Sequence, residues 1–480
     1  MRLRLLPIAL VLGALPLSAA GLADPPRATA ALLAPVAIAA SDALHVDLPF
    51  ERFVLANGLE VLLHEDHRTP IVAVNIFYHV GSKDDPPGKN GFAHLFEHLM
   101  FNGSRNVPPG MFEKYLARAG MSASNGTTNT DRSAYYETLP ASELPLALWL
   151  ESDRMGFLLD RFDQASFERE REVVKNERRQ KYENVPYGLV IPVAIRGTLY
   201  PAGHPYHFPA MGTPEQLDTA TLDDVRAFFK RYYVPNNATL VIAGDVEKGR
   251  ARQLVETYFG RVPRGADPGI SRTPVPASLP GEIRLDVEAD VELSKLYVVW
   301  PSVPRCAPGD LELDMLSSVL SRGKSSRLHK RLVYDLQIAQ DVSADEDGAL
   351  LAGVFYIAVH LKKDQSPEVA LKEIDAELAW VKATAPTAQE MDRVRAGMVP
   401  SALFGIESET TRAALLNNNN EWAGDPGYFG KHLGRIEGMK PSDLQAAAKT
   451  FLPSERRIVA VVTPKAGAPK GGRLVTRSTP

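Results

Sequence analysis

At 480 residues the chain is long enough for two or more domains with sizeable cores. Its 45% hydrophobic and 23% charged residues are ordinary for a soluble globular protein, and a net charge of −4 carries no electrostatic footprint of a nucleic-acid partner. A lone cysteine, Cys306, excludes an internal disulfide and a cysteine-built zinc cluster.

Arg2 and Arg4 precede an apolar run from Leu5 to Leu17, with small residues at Ser18-Ala19-Ala20 and Gly21-Leu22-Ala23. This reads as an export signal over residues 1–23, too short for a membrane span, and predicts a periplasmic or secreted protein rather than a membrane-anchored one. Residues 24–46, rich in Ala and Pro without helical period, read as a flexible leader. Arg52–Leu55 and Leu59–His64 are strand-like runs around Asn57-Gly58, a hairpin signal because both turn residues tolerate positive φ. Ile71–Val80 is β-rich, and a polar loop from Gly81 to Asn90 leads to the segment that organises the chain.

That segment is Gly91-Phe92-Ala93-His94-Leu95-Phe96-Glu97-His98-Leu99-Met100. As a helix at about 100° per residue, it sets His94 and His98 about 40° apart on one face, with Glu97 about 60° to the other side of His94. Phe92, Leu95, Phe96 and Leu99 then fall opposite, free to enter a core. H-x-x-E-H is the inverted form of a zinc-peptidase signature. Two histidines at i and i+4 can meet one Zn²⁺, and Glu97 is better placed to handle the proton of a water than to be the third ligand.

Met111–Ala119 reads as a helix, Ser122–Leu139 as strands and Pro145–Phe157 as a helix. From Asp163 to Glu183 nearly every residue is charged, yet Glu170, Val173, Val174 and Glu177 share one helical face, so one face should be buried and carry two carboxylates. Val225, Phe228, Phe229 and Tyr232 make an amphipathic stripe, followed by a strand at Thr239–Ala243. Residues 263–281, with several Pro and Gly, read as a linker.

The second half repeats the order of elements: strands at Ile283–Val287 and Lys295–Trp300, a helix at Leu311–Leu320, a long strand at Leu350–Leu361, helices opening at Ser366-Pro367 and at Thr387–Glu390, and a strand at Ile458–Val462. Phe451-Leu452-Pro453 echoes Tyr233-Val234-Pro235, and the prolines stand 453 − 235 = 218 positions apart. A duplicated α+β unit follows: a first domain over 47–262 and a second over 282–465, with a flexible tail over 466–480. Leu311–Leu320 has no histidine, so only the first copy can carry a metal.

The chain resembles the M16 (pitrilysin-like) zinc metallopeptidases, in particular their short exported bacterial members, which are similar to mitochondrial processing peptidase. The resemblance covers about 47–465. It rests on Gly91–His98, on Glu170-Arg171-Glu172-Val173-Val174-Lys175-Asn176-Glu177, on His204-Pro205-Tyr206, and on Tyr233-Val234-Pro235-Asn236-Asn237 with Ala243-Gly244-Asp245. It implies two homologous α+β domains, each a mainly antiparallel sheet with packed helices. It implies zinc held by His94, His98 and Glu177, with Glu97 as general base and Glu170 as an accessory carboxylate. Short or unfolded peptides would be cut after pairing with an exposed strand edge, for which Ser122, Ala123, Ser124, Asn125, Gly126 and Thr127 stand here.

One departure changes the expected assembly. Active members of the family it resembles usually need an arginine and a tyrosine seven residues apart in a second domain, which hold the substrate carbonyl; the matching alignment here puts Val333 and Gln340 in those places. Arg327 and Tyr334 are also seven apart, but in a shifted frame. The expectation is therefore a zinc-bearing subunit of a heterodimer whose homologous companion supplies the pair, in preference to a homodimer. The rival is a non-catalytic peptide-binding or scaffold subunit, whose mark would be loss of His94, Glu97, His98 or Glu177; none is lost. Arg322-Gly323-Lys324-Ser325 lacks the upstream glycine of a phosphate loop, with Ser318 in its place. His64, His67 and His79 read as surface or core residues, His204 and His207 as loop residues, and Asn417–Asn420 has no evident role.

Overall fold

The structure is a computed structural model that describes residues 46–479; the expected signal at 1–23 and all of the leader except Val46 lie outside the described residues. Two six-stranded sheets organise the chain. The first contains β1 (Glu51–Val54), β2 (Glu60–Glu65), β3 (Ile71–Tyr78), β4 (Ala123–Thr128), β5 (Ser133–Pro140) and β6 (Ala238–Gly244), in the spatial order β1-β2-β6-β3-β5-β4. The second contains β7 (Ile283–Ala289), β8 (Lys295–Ser302), β9 (Ala339–Gly348), β10 (Gly353–Leu361), β11 (Ile458–Pro464) and β12 (Arg473–Ser478), in the order β12-β7-β11-β8-β10-β9. All pairings are antiparallel except β2 with β6 and β7 with β11. The apolar run Ala238-Thr239-Leu240-Val241-Ile242-Ala243-Gly244 is buried throughout because it lies between β2 and β3 with both faces covered. Gly58, at φ 93°, makes the β1–β2 turn that Asn57-Gly58 announces.

The two sheets are copies of one plan. Gly91 and Gly309, 309 − 91 = 218 positions apart, both open a helix from the left-handed region, at φ 102° and 106°. The same offset carries His94 to Glu312, Glu97 to Met315 and His98 to Leu316. Each copy covers a face of the other. The helix Glu409–Ala423 lies on β3 and β6, while Val190, Ala194, Ile195, Leu199 and Tyr200 pack among Leu285, Val287, Tyr297 and Ala460 of the second sheet.

The asparagine run sits on that crossing helix. Buried Asn417 donates through Nδ2 to Asn75 Oδ1 at 2.8 Å and to the Thr239 carbonyl at 3.2 Å, and Asn420 donates to Glu60 Oε2 at 2.5 Å. These amides satisfy polar groups of the sheet that an apolar helix would leave unpaired.

Four expectations need correction. β9 reads as no element in the sequence: Val342 and Ala344 point in, but Asp341, Asp345 and Asp347 are poor strand formers. Its partner β10 starts at Gly353 rather than Leu350. The tail over 466–480 is not a free end, since Arg473–Ser478 takes the open edge of β7, with Arg473 paired to Glu288. In the charged run the helix is Gln164–Arg178, and of its two valines only Val174 is buried; Val173 is 43% exposed. Between Phe259 and Ile283 there is no helix or strand.

Candidate active site

The helix Phe92–Leu99 is driven into place by its apolar side. Phe92, Leu95, Phe96 and Leu99 are fully buried, and Phe96 stacks on Phe228 at 5.1 Å and lies 5.2 Å from Tyr233. Each such side chain contributes about 1.5–3 kcal/mol of burial. At its N-terminus Asp85, which the sequence reading did not single out, accepts from the amides of Gly91 at 2.7 Å and Ala93 at 2.9 Å. The Asp85 carboxyl satisfies orphan amides of the first turn and so fixes the axial position of the histidines, while burial pushes its pKa up to about 8. In the sequence it is only one of two adjacent acids, Asp84 and Asp85, in a polar loop.

The opposite side of that helix meets Gln164–Arg178. His98 Nε2 stands 2.9 Å from Glu177 Oε2, His94 Nε2 stands 3.6 Å from the same oxygen, and the two imidazole centroids are 4.9 Å apart. Donor atoms of His94, His98 and Glu177 lie within 4.8 Å of one another, the one such group among the described residues. Two ligands about 2.1 Å from one tetrahedral ion sit roughly 3.4 Å apart, so this donor set fits a zinc. Glu170, two helical turns before Glu177, lies 3.9 Å from His98 Nδ1. Glu168 and Glu172 are exposed elsewhere on the helix.

Electrostatics separate the roles. Burial, with help from neighbouring His98, lowers His94 to about 4, which keeps its imidazole neutral at pH 7. The hydrogen bond from His98 holds Glu177 at about 2 against the opposing effect of burial. For His98 burial pulls down most strongly, but the bond to Glu177 together with the negative charges of Glu177, Glu97 and Glu170 outweighs it and raises the ring. Burial raises Glu97, whose Oε2 has no protein hydrogen-bond partner.

The expected substrate strand is β4, with Ser122 just before it. β4 pairs only with β5 and forms the outer edge of the first sheet, beside the histidine helix. Ser124 and Asn125 line a cavity of about 300 Å³ with Glu97, His98, Glu113 and Glu170. A Cβ on Gly126 would sit 2.9 Å from Glu97 Cγ and 3.1 Å from Phe101. Gly126→Val should therefore displace Glu97 and lower kcat of peptide cleavage about 100-fold with zinc content unchanged; steady-state kinetics with metal analysis checks this, and wild-type kcat would refute it.

The remaining candidates are occupied elsewhere. Arg327 grips Glu390 with two bonds at 2.6 and 2.8 Å and lies 3.6 Å from the centroid of Trp380, so its guanidinium already has partners. Tyr334 is 49% exposed and Val333 half-buried in the turn His329–Asp335, while Gln340 is exposed on β9. His204 contacts the Val275 carbonyl and His207 the Tyr200 carbonyl. His64 contacts the Pro49 carbonyl, His67 bridges Glu65 and Asp245, and His79 meets Glu421.

Residues 60–195 match the family model described as Insulinase (Peptidase family M16), and residues 219–398 match the one described as Peptidase M16 inactive domain. The chain belongs to peptidase family M16. Among M16 relatives, zinc protease PqqE of Helicobacter pylori is 28% identical over 412 residues, covering 84% of this chain and 90% of the relative. Mitochondrial-processing peptidase subunit beta of Lentinula edodes is 21% identical over 427 residues, covering 84% of this chain and 88% of its own. A solved protease from Helicobacter pylori superposes with a TM-score of 0.80 at 27% identity, over 87% of this chain and all of that one. Pitrilysin, at 19% identity, shares the fold with a TM-score of 0.72, over 90% of this chain and 47% of that chain. The M16 inactive-domain match spans Glu312, Met315 and Leu316, which stand at the offset positions of His94, Glu97 and His98.

Proposed function

We propose that this chain is a zinc-dependent endopeptidase acting on short or unfolded peptides, with His94, His98 and Glu177 as metal ligands. The observation that carries the reading is the convergence of these three side chains, from two helices, on a space beside an open strand edge. Zinc held by two neutral imidazoles and a carboxylate would acidify a coordinated water toward neutral pH and polarise the scissile carbonyl. Glu97, adjacent to that space and without a competing partner on Oε2, accepts the proton of the attacking water and returns it to the departing amine. Glu170 supports His98 from the side of Nδ1. The residues Ser122–Thr127 hold the peptide backbone along the free edge of β4, so selection depends on extended shape. Removing zinc with a chelator should abolish cleavage of an unstructured peptide and stoichiometric Zn²⁺ should restore it; cleavage that survives metal removal would refute the proposal.

With Val333 and Gln340 in place of the arginine and tyrosine, the carbonyl-holding pair is assigned to a homologous companion in a heterodimer. A companion bearing that pair should then raise the cleavage rate of this chain, and an equal rate for the chain alone would exclude the heterodimer. The intact zinc set speaks against the non-catalytic alternative. No helix among the described residues is long and apolar enough to cross a membrane, and the export signal assigns the chain to the periplasm or the exterior.

A further inference from the structure

We infer that Glu177 is set in its ligating orientation from outside the site, by Lys181 together with the strap Lys470–Gly472 near the C-terminus. This rests on the reading of His94, His98 and Glu177 as the zinc site. It makes Lys181 and Gly471 positioning residues, since neither touches the three converging donor atoms.

The two oxygens of Glu177 are divided between two tasks. Oε2 faces the imidazoles, while Oε1 lies 2.5 Å from Lys181 Nζ. An ammonium on Oε1 leaves one oxygen for a metal and fixes the plane of the carboxylate, the service that an outer hydrogen-bond partner gives a metal ligand.

Lys181 is not presented by an ordinary helix. The α-helical ladder ends at Arg178, and Arg179–Glu183 continue as a single π turn, a conformation that needs support from its surroundings. That support comes from nearly 300 positions away. The Gly471 amide donates to the Glu183 carbonyl at 3.0 Å, the Tyr187 amide to the Lys470 carbonyl at 3.0 Å and the Leu189 amide to the Gly471 carbonyl at 2.8 Å. Gly471 comes so close that a Cβ would run into the Tyr182 carbonyl oxygen and stand 2.9 Å from Leu189 Cγ. Gly472, at φ 100°, then turns the chain into β12. Within the strapped segment Tyr187 is held at φ 62°, outside the usual range for a side-chain-bearing residue, with its hydroxyl donating to the Leu293 carbonyl at 2.8 Å.

The test is the zinc dissociation constant of the full-length mature chain, measured by competition with a chromophoric chelator, with circular dichroism and thermal midpoint read in parallel. Lys181→Met should weaken zinc binding about 10- to 100-fold while the fold and midpoint stay at wild type, and Lys181→Arg, which keeps the charge, should restore most of the affinity. Gly471→Val should weaken zinc in the same direction, with Gly471→Ala as the milder variant if valine prevents folding. The double variant Lys181→Met/Gly471→Val should be little worse than the weaker-binding single, because both act through one carboxylate. Thr476→Ala, which removes a bond to Asp286 farther along β12, should bind zinc as wild type does. Wild-type affinity in Lys181→Met or in the folded Gly471 variants overturns the inference, as does an equal loss in Thr476→Ala. A wild-type chain that binds no zinc sinks the peptidase reading instead.

Discussion

Glu97→Gln should lower the rate of peptide cleavage by about 10²–10⁴-fold, the range that a positioned general base contributes, and leave bound zinc at the wild-type amount. The substitution keeps shape and removes only the capacity to take a proton. Glu97 is raised by burial, which outweighs a hydrogen bond from Thr128, and its Oε2 has no protein partner and keeps a lone pair for the reaction. Since Glu97 is not one of the three converging donors, the amide should not disturb metal loading. Parallel metal analysis and kinetics decide the matter: zinc lost together with activity would make Glu97 a ligand, and activity retained would remove it from the chemistry.

Arg154→Leu should be the most destabilising single change in the first domain, by about 3–5 kcal/mol. Arg154 is 2% exposed on the helix Leu144–Phe157, donates through Nε to Glu151 Oε2 at 2.9 Å, and lies 4.4 Å from the ring centroid of Tyr135 and 4.5 Å from that of Phe112. Glu151 is fully buried, and burial together with Glu151 pushes neighbouring Glu137 well above the ordinary carboxylate range. The guanidinium is therefore the balancing charge for Glu151. Removing it strands a carboxylate in the core, whereas Arg154→Leu/Glu151→Leu removes both charges and should recover most of the loss. Urea midpoints for the two variants check this; a single variant as stable as the double would show that the pair is not coupled.

What could be read from the sequence follows the range of the interactions. His94, Glu97 and His98 are readable because a helix brings i, i+3 and i+4 together, and Glu170 and Glu177 because seven residues make two turns. The seating of the histidine helix depends on Phe96 against Phe228 and Tyr233, contacts across more than 130 positions that no local period encodes. Local reading fails where a tertiary partner overrides composition. β9 is acidic on its outer face and is a strand only because β10 pairs with it. Asn417 and Asn420 look arbitrary until β2, β3 and β6 present polar groups to them. Arg473–Ser478 resembles a loose tail until the open edge of β7 is in view. Asp85 is indistinguishable from its neighbour Asp84 until the amides of Gly91 and Ala93 stand above it.

The measurement that bears most directly on the account is anomalous X-ray scattering at the zinc edge from crystals of the full-length mature chain. One peak is expected per chain, within bonding distance of His94, His98 and Glu177. No peak there, or a peak elsewhere with Glu177 Oε2 still hydrogen-bonded to His98 Nε2, would contradict it.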